Sequence, residues 1–223
     1  MLRHGIRVAV AILTFSIGIA IFWPLRLIQR LETVLVDRFY EYDLKPVNVT
    51  FDPAHEANEI YRLLIHERFK LNGEAKLIVI RSETIPFAPL NDDSLEPGGK
   101  RESFHTMVKG SMPETESQTV DDYLLRNETP PQLKIWNPGI NYVLAANSDL
   151  PVSANFWGEF DKKFPNSSGI LSFSNVGFNQ QYNQALVYVA HSCGGLCGEG
   201  DFVLLRKLNG KWEILNEQNM WIS

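Results

Sequence analysis

Two cysteines, one histidine and two carboxylates are crowded together as His191, Cys193, Cys197, Glu199 and Asp201. A disulfide needs only the two sulfurs and an oxidising compartment. A zinc site needs four ligands, and the Cys-x3-Cys spacing has no second pair, so His191 with Glu199 or Asp201 would have to complete it. A thiol nucleophile needs a base in reach, and His191 and Cys193 lie at i and i+2 of a strand, on one face. A redox pair favours Cys-x-x-Cys at a helix start, where the dipole lowers a thiol pKa. Here the spacing is longer and the flanks read as strands. A local Cys193–Cys197 disulfide is the expected chemistry, with reduced thiols or a metal site as the alternatives. Closing so short a loop stabilises by only ~2 kcal/mol, so the bond stiffens the turn more than it secures the fold. No catalytic, cofactor-binding or metal-ligating set is assigned.

The elements around this loop are strands. Ala185, Val187 and Val189 alternate with Leu186, Tyr188 and Ala190, so both faces are apolar and the strand belongs at the centre of a sheet. Strands are predicted over 170–178, 184–192, 201–208 and 211–222, with connections short enough for sequential antiparallel pairing. Asn209-Gly210 supplies the two positive-φ positions of a type I′ hairpin. That turn sets Leu208 opposite Lys211, Lys207 opposite Trp212, Arg206 opposite Glu213 and Leu205 opposite Ile214. Val203, Leu205, Trp212 and Ile214 then share a core face with Lys207 at its margin, while Arg206 and Glu213 pair on the other face. A slip of one residue would expose Trp212 and bury Glu213.

Upstream, Asp52-Pro53 reads as an N-cap and first helical position, followed by Ile60, Tyr61, Leu64 and Phe69, with Asn72-Gly73 as the stop. His55 and His66 read as surface or boundary residues of this helix. Leu77, Ile78, Val79 and Ile80 read as a strand buried on both faces. The segment 86–118 is rich in Pro, Gly, Ser, Asp and Glu. It is expected to be a flexible loop, with only Phe104, Met107 and Val108 to anchor it. Its acidic residues lack the spacing of a calcium loop. Thr119 with Asp122 opens a short helix that Pro130-Pro131 ends. Segments 132–136 and 140–146 flank Asn137-Pro138-Gly139 and are expected to form a hairpin. Phe156, Trp157, Phe160 and Phe164 give a helix with an aromatic core face up to Pro165.

A chain of 223 residues, 44% hydrophobic, suffices for one domain. The net charge of -5, with no basic cluster beyond the N-terminal region, gives no footprint for a phosphate backbone, so nucleic acid is not an expected partner. Residues 8–23 carry no charge, follow Arg3 and Arg7, and end at Pro24. They reach spanning length with Ile6, Leu25 and Leu27. Phe22-Trp23-Pro24-Leu25 offers no small-residue cleavage site, which favours a retained anchor over a cleaved signal. Leu27, Ile28, Leu31, Val34 and Leu35 continue as an amphipathic stalk. The expected organisation is a stub and membrane anchor at 1–25, a stalk helix at 26–45, and one extracytoplasmic domain at 46–223 with the flexible loop at 86–118.

Phe156-Trp157, Val176-Gly177-Phe178, Ala185-Leu-Val-Tyr-Val, Cys193-Gly-Gly-Leu-Cys-Gly and Gly210-Lys-Trp together resemble the C-terminal portions of a family of uncharacterised bacterial membrane-anchored or secreted proteins. The resemblance covers roughly the last third of the chain and carries no functional residue across. The closing Gly-Lys-Trp strand is also similar to small curved-sheet domains of the cystatin-like and nuclear-transport-factor-2-like kind.

The expected fold is α+β, a C-terminal antiparallel meander packed by helices and preceded by one N-terminal transmembrane helix. The expected function is a membrane-anchored extracytoplasmic binding or interaction module. Its helix would sit in the lipid bilayer of a bacterial inner membrane, its C-terminal domain in the periplasm, with an envelope protein as partner and no cofactor or metal. The alternatives are a small-ligand-binding or hydrolytic enzyme with a pocket under the sheet, and a thiol-redox protein using Cys193 and Cys197.

Overall fold

A computed structural model describes residues 51–68, 77–85, 97–129, 132–136 and 138–223. The expected anchor at 1–25, the stalk at 26–45, the stop at Asn72-Gly73 and the Pro130-Pro131 terminator lie outside the described residues. No helix among the described residues is long and apolar enough to cross a membrane. In chain order the elements are α1 Pro53–Arg68, β1 Leu77–Arg81, α2 Pro97–Ser111, α3 Ser117–Arg126, β2 Tyr142–Ala145, α4 Phe156–Lys163, β3 Ser167–Phe173, β4 Gly177–Phe178, β5 Gln184–Gly194, β6 Cys197–Leu208 and β7 Lys211–Ile222.

The fold is mixed α+β, and its sheet runs β2-β1-β3-β5-β6-β7, with β4 pairing β5 in line behind β3. The C-terminal half is the expected antiparallel meander. Asn209 (φ 51°) and Gly210 (φ 78°) both take positive φ, and all four expected pairs across that turn form, from Leu208 with Lys211 to Leu205 with Ile214. The strand expected over 170–178 is instead broken into β3 and β4. Ser174 causes the break: its hydroxyl accepts the Tyr188 N–H at 2.8 Å, a bond that a ladder carbonyl would otherwise take. The expected hairpin of 132–136 with 140–146 does not form. β2 lies parallel to β1, which is parallel to β3 on its other side, and Gln132 makes a single antiparallel bridge to Glu83. β1 is buried at its centre and needs a partner on both edges, while Leu133 and Ile135 are drawn into the core under α1.

Alternation along the strands sends two apolar sets to opposite faces. On one face Val187, Val189, Val203, Leu205 and Phe173 pack against Ile60, Tyr61, Leu64 and Ile65 of α1. On the other, Leu186, Tyr188, Phe202 and Leu204 meet Phe104, Val108 and Met112 of α2 and its continuation and Val120 and Tyr123 of α3. Phe160 and Phe164 of α4 and its C-terminal boundary cover Val79 and Ile170. The aromatic stripe at 156–164 is therefore core, as expected. A large part of the expected flexible loop is not a loop: Pro97–Ser111 is helical. Phe104, Val108 and Met112 recur every fourth residue and are buried at 3, 0 and 0% exposure, and Pro97 stands at the first helical position rather than in a turn. The following helix also opens earlier than its expected Thr119 signal, at Ser117.

Charged contacts hold α1 at both of its ends. Asp52 Oδ1 accepts the Ala54 N–H at 3.0 Å and starts the helix as expected. One turn on, the buried Glu56 carboxylate accepts Lys207 Nζ and Trp212 Nε1, each at 2.6 Å. At the other end Arg68 donates to Asp201 and, at 2.9 Å, to Glu217. Burial lowers the Arg68 pKa, but Asp201 and Glu217 outweigh it and raise the net value above the usual one. Replacing Glu56→Ala strands a partly buried ammonium and a buried indole N–H, and should cost about 2 to 3 kcal/mol by urea denaturation. Arg206→Ala breaks only the half-exposed 3.6 Å pair with Glu213 and should cost less than about 1 kcal/mol. Equal losses would show that the Glu56 contacts do not secure α1.

Candidate functional site

The cysteine-centred chemistry resolves into a disulfide. Cys193 and Cys197 are bonded, with Cα atoms 5.1 Å apart, and close the tip between β5 and β6. Leu196 in that tip is 92% exposed. The other residues of the expected cluster are engaged elsewhere: His191 Nε2 donates to the Ser168 carbonyl at 2.6 Å, and Asp201 is held by Arg68 and by Asn219 at 2.7 Å. Glu199 lies 3.8 Å from Arg68. Among the described residues, no group of three or more His, Cys, Asp or Glu is placed to hold a metal ion. His55 and His66 line a shallow groove of about 400 Å³ between α1 and the β6–β7 hairpin, where Glu56 is tied to Lys207 and Glu59 to Arg62.

A second cleft, of about 370 Å³, opens between α3, the start of α2 and the β4–β5 connection, and it is the more elaborately built. α3 is pressed against β4: a Cβ on Gly177 would lie 2.4 Å from the Tyr123 Cα, so only glycine permits this approach. Asp122 then takes the Phe178 N–H at 2.7 Å and Arg126 Nε at 2.6 Å through one oxygen, Oδ2. Asp121 takes Arg101 at 2.6 Å and His105 Nε2 at 2.8 Å through Oδ1. α3 has no side-chain cap of its own. Gln184 of β5 supplies one, its Oε1 accepting the Glu116 N–H at 2.7 Å and the Thr119 hydroxyl at 2.8 Å.

The connection 179–183 forms the far wall. Asn179 Oδ1 accepts the N–H groups of Asn183 and Gln184, and its amide donates to Asn183 at 2.7 Å and Glu116 at 3.1 Å. This knot holds Tyr182 at φ 53°, a left-handed conformation that costs a residue with a Cβ about 1 kcal/mol. The Tyr182 ring is 41% exposed and stacks on Phe51, centroids 3.5 Å apart at 12°. Among the described residues lining the cleft, Tyr182 carries the one hydroxyl, and none is a serine, threonine or cysteine.

The sequence assigns none of these residues to a site: Thr119 and Asp122 stand out only as helix starters, Gly177 and Phe178 only within the resemblance, and Gln184 only as the start of a strand. One local signal was present: Asn179-Gln-Gln-Tyr-Asn-Gln184 joins two strands without a glycine, and an aromatic occupies a turn position that favours Gly or Asn.

Burial raises the Asp121 carboxyl, but the hydrogen bonds from His105 and Arg101 outweigh it, and its pKa lies below the usual carboxylate value. Its stabilisation is therefore complete above about pH 4 and is lost as pH falls through the lowered pKa. Asp121→Asn should show a smaller fall in the urea midpoint on acidification from about pH 5 to pH 2 than the parent chain. An identical fall would show that the pairing contributes nothing to acid stability. Compared with known proteins, the chain matches no family model, no curated protein and no solved structure.

Proposed function

We propose that the chain is a membrane-anchored extracytoplasmic binding module, held in a bacterial inner membrane by its N-terminal segment with the α+β domain in the periplasm. The observation that carries the binding role is the wall at 179–183, where a strained, half-exposed Tyr182 is kept rigid beside a cleft of fixed polar groups. Strain of this kind persists only where neighbours over-determine it, and it gathers at sites that hold something. The Cys193–Cys197 bond supports an oxidising compartment. A hydrolytic role would require a nucleophile beside His105 and Asp121, and a thiol-redox role would require an exchangeable pair with a helix-start environment; Cys193 and Cys197 lie on strand ends instead.

Two measurements test this. Fused after Ser223, a phosphatase that folds only outside the cytoplasm should be active, and a reporter active only in the cytoplasm should be silent; the reverse pattern removes the periplasmic placement. A small-fragment screen followed by amide chemical shifts should map hits to Asp121, Asp122, Asn179 and Tyr182. Hits that map elsewhere, or none at all, overturn the binding role of this cleft.

A further inference from the structure

We infer that the Tyr182 cleft recognises a neutral saccharide, its pyranose ring seated on the Tyr182 face and its hydroxyls bonded to Asp121, Asp122 and the neighbouring glutamines. This rests on the binding role proposed above and names the ligand class. The charges decide against an ionic ligand. Arg101 and Arg126 face Asp121 and Asp122 and are already paired with them at 2.6 Å each, so the cleft is balanced. An anion would have to draw an arginine from its carboxylate, and a cation a carboxylate from its arginine, each leaving an opposite charge uncompensated.

The polar capacity left over suits hydroxyls. Both aspartates use one oxygen for their protein partners, Asp121 Oδ1 and Asp122 Oδ2, which leaves each a second oxygen as a pure acceptor. Gln118 and Gln180 line the same cleft with side-chain amides that both donate and accept. A sugar hydroxyl can give its proton to a carboxylate while accepting from an amide, and adjacent hydroxyls can do both at once. The aromatic wall supplies the third element. A pyranose presents a flat array of C–H groups to a π-face, and Tyr182 offers one face while Phe51 backs the other. Because the Asn179 knot fixes the turn, little ordering entropy is lost on binding. The volume of about 370 Å³ lies within the range of small-ligand sites.

The test uses the full-length chain in a sugar-free detergent, titrated with cellotriose, maltotriose and N-acetylchitotriose and followed by ligand-observed saturation-transfer NMR. At least one should bind with a Kd near about 1 mM. Tyr182→Gly removes the ring and also relieves the positive φ, so the variant should fold, and it should weaken that binding by about tenfold or more. Tyr182→Phe keeps the stacking face and should bind within about twofold of the parent. Inorganic phosphate and acetate should show no binding that depends on Tyr182. Absence of binding by all three oligosaccharides at about 10 mM overturns the inference. So does undiminished binding by Tyr182→Gly, or Tyr182-dependent binding of phosphate. Fragment hits in the cleft together with failure of all three sugars would overturn the ligand class alone and leave the binding role standing.

Discussion

The rest of the domain depends on how α1 is held along the sheet. Glu56 and Arg68 are separated by about 18 Å of helix. Their partners on β6, Lys207 and Asp201, are separated by about 20 Å of strand. The two lengths agree, so both ends of α1 can be held at once, with α1 running antiparallel to β6. Pairs of this burial add little net stability compared with apolar side chains of the same size, because desolvation offsets their attraction. Their effect is on register. A slide of one helical turn, about 5.4 Å, would leave Glu56 and Asp201 buried without their cations, whereas Ile60, Leu64 and Ile65 would find other apolar neighbours.

The opposite face is fixed by steric contact instead of charge. Gly177 lets the backbone of α3 touch β4, and Gln184 caps α3 from β5, so helix and strands share their polar ends. Asp122 ties the same helix to the Phe178 N–H. The β4–β5 turn is therefore bracketed before its own residues are considered, and the Asn179 bonds finish the constraint. A left-handed tyrosine is held there by the bonds that Asn179 makes across the turn to Asn183 and Gln184.

Features whose cause is local were legible in the sequence. The Asn209-Gly210 turn carries its positive φ values in its residue types, and the unbroken apolar run of 185–190 announces a strand covered on both sides. The Cys193–Cys197 bond follows from two thiols close in sequence in a glycine-rich turn. At 97–111 the composition misled, since glycine and proline suggest a loop while Phe104, Val108 and Met112 keep a helical period. The parallel partnership of β2 with β1 was out of reach, because 60-odd residues of chain separate them and a short apolar run does not declare its partner. The cleft was hidden for the same reason. Gln184 and Glu116 are 68 residues apart, and a glutamine in a strand carries no sign that it will cap a distant helix.

The helix contacts and the cleft are parts of one connected structure. Tyr182 stacks on Phe51, Phe51 meets Phe178 edge-on at 5.3 Å, and Phe178 lies against Trp212 at 5.9 Å. Trp212 in turn donates its indole N–H to Glu56. The platform of the cleft is thus backed by a chain of rings that ends on the carboxylate holding the start of α1. Rings in contact at these distances constrain one another, so the face that backs Tyr182 is supported by contacts that reach as far as Glu56. The interaction that holds the start of α1 is therefore linked through these rings to the surface cleft, where the strained aromatic sits in a turn bound through Asn179.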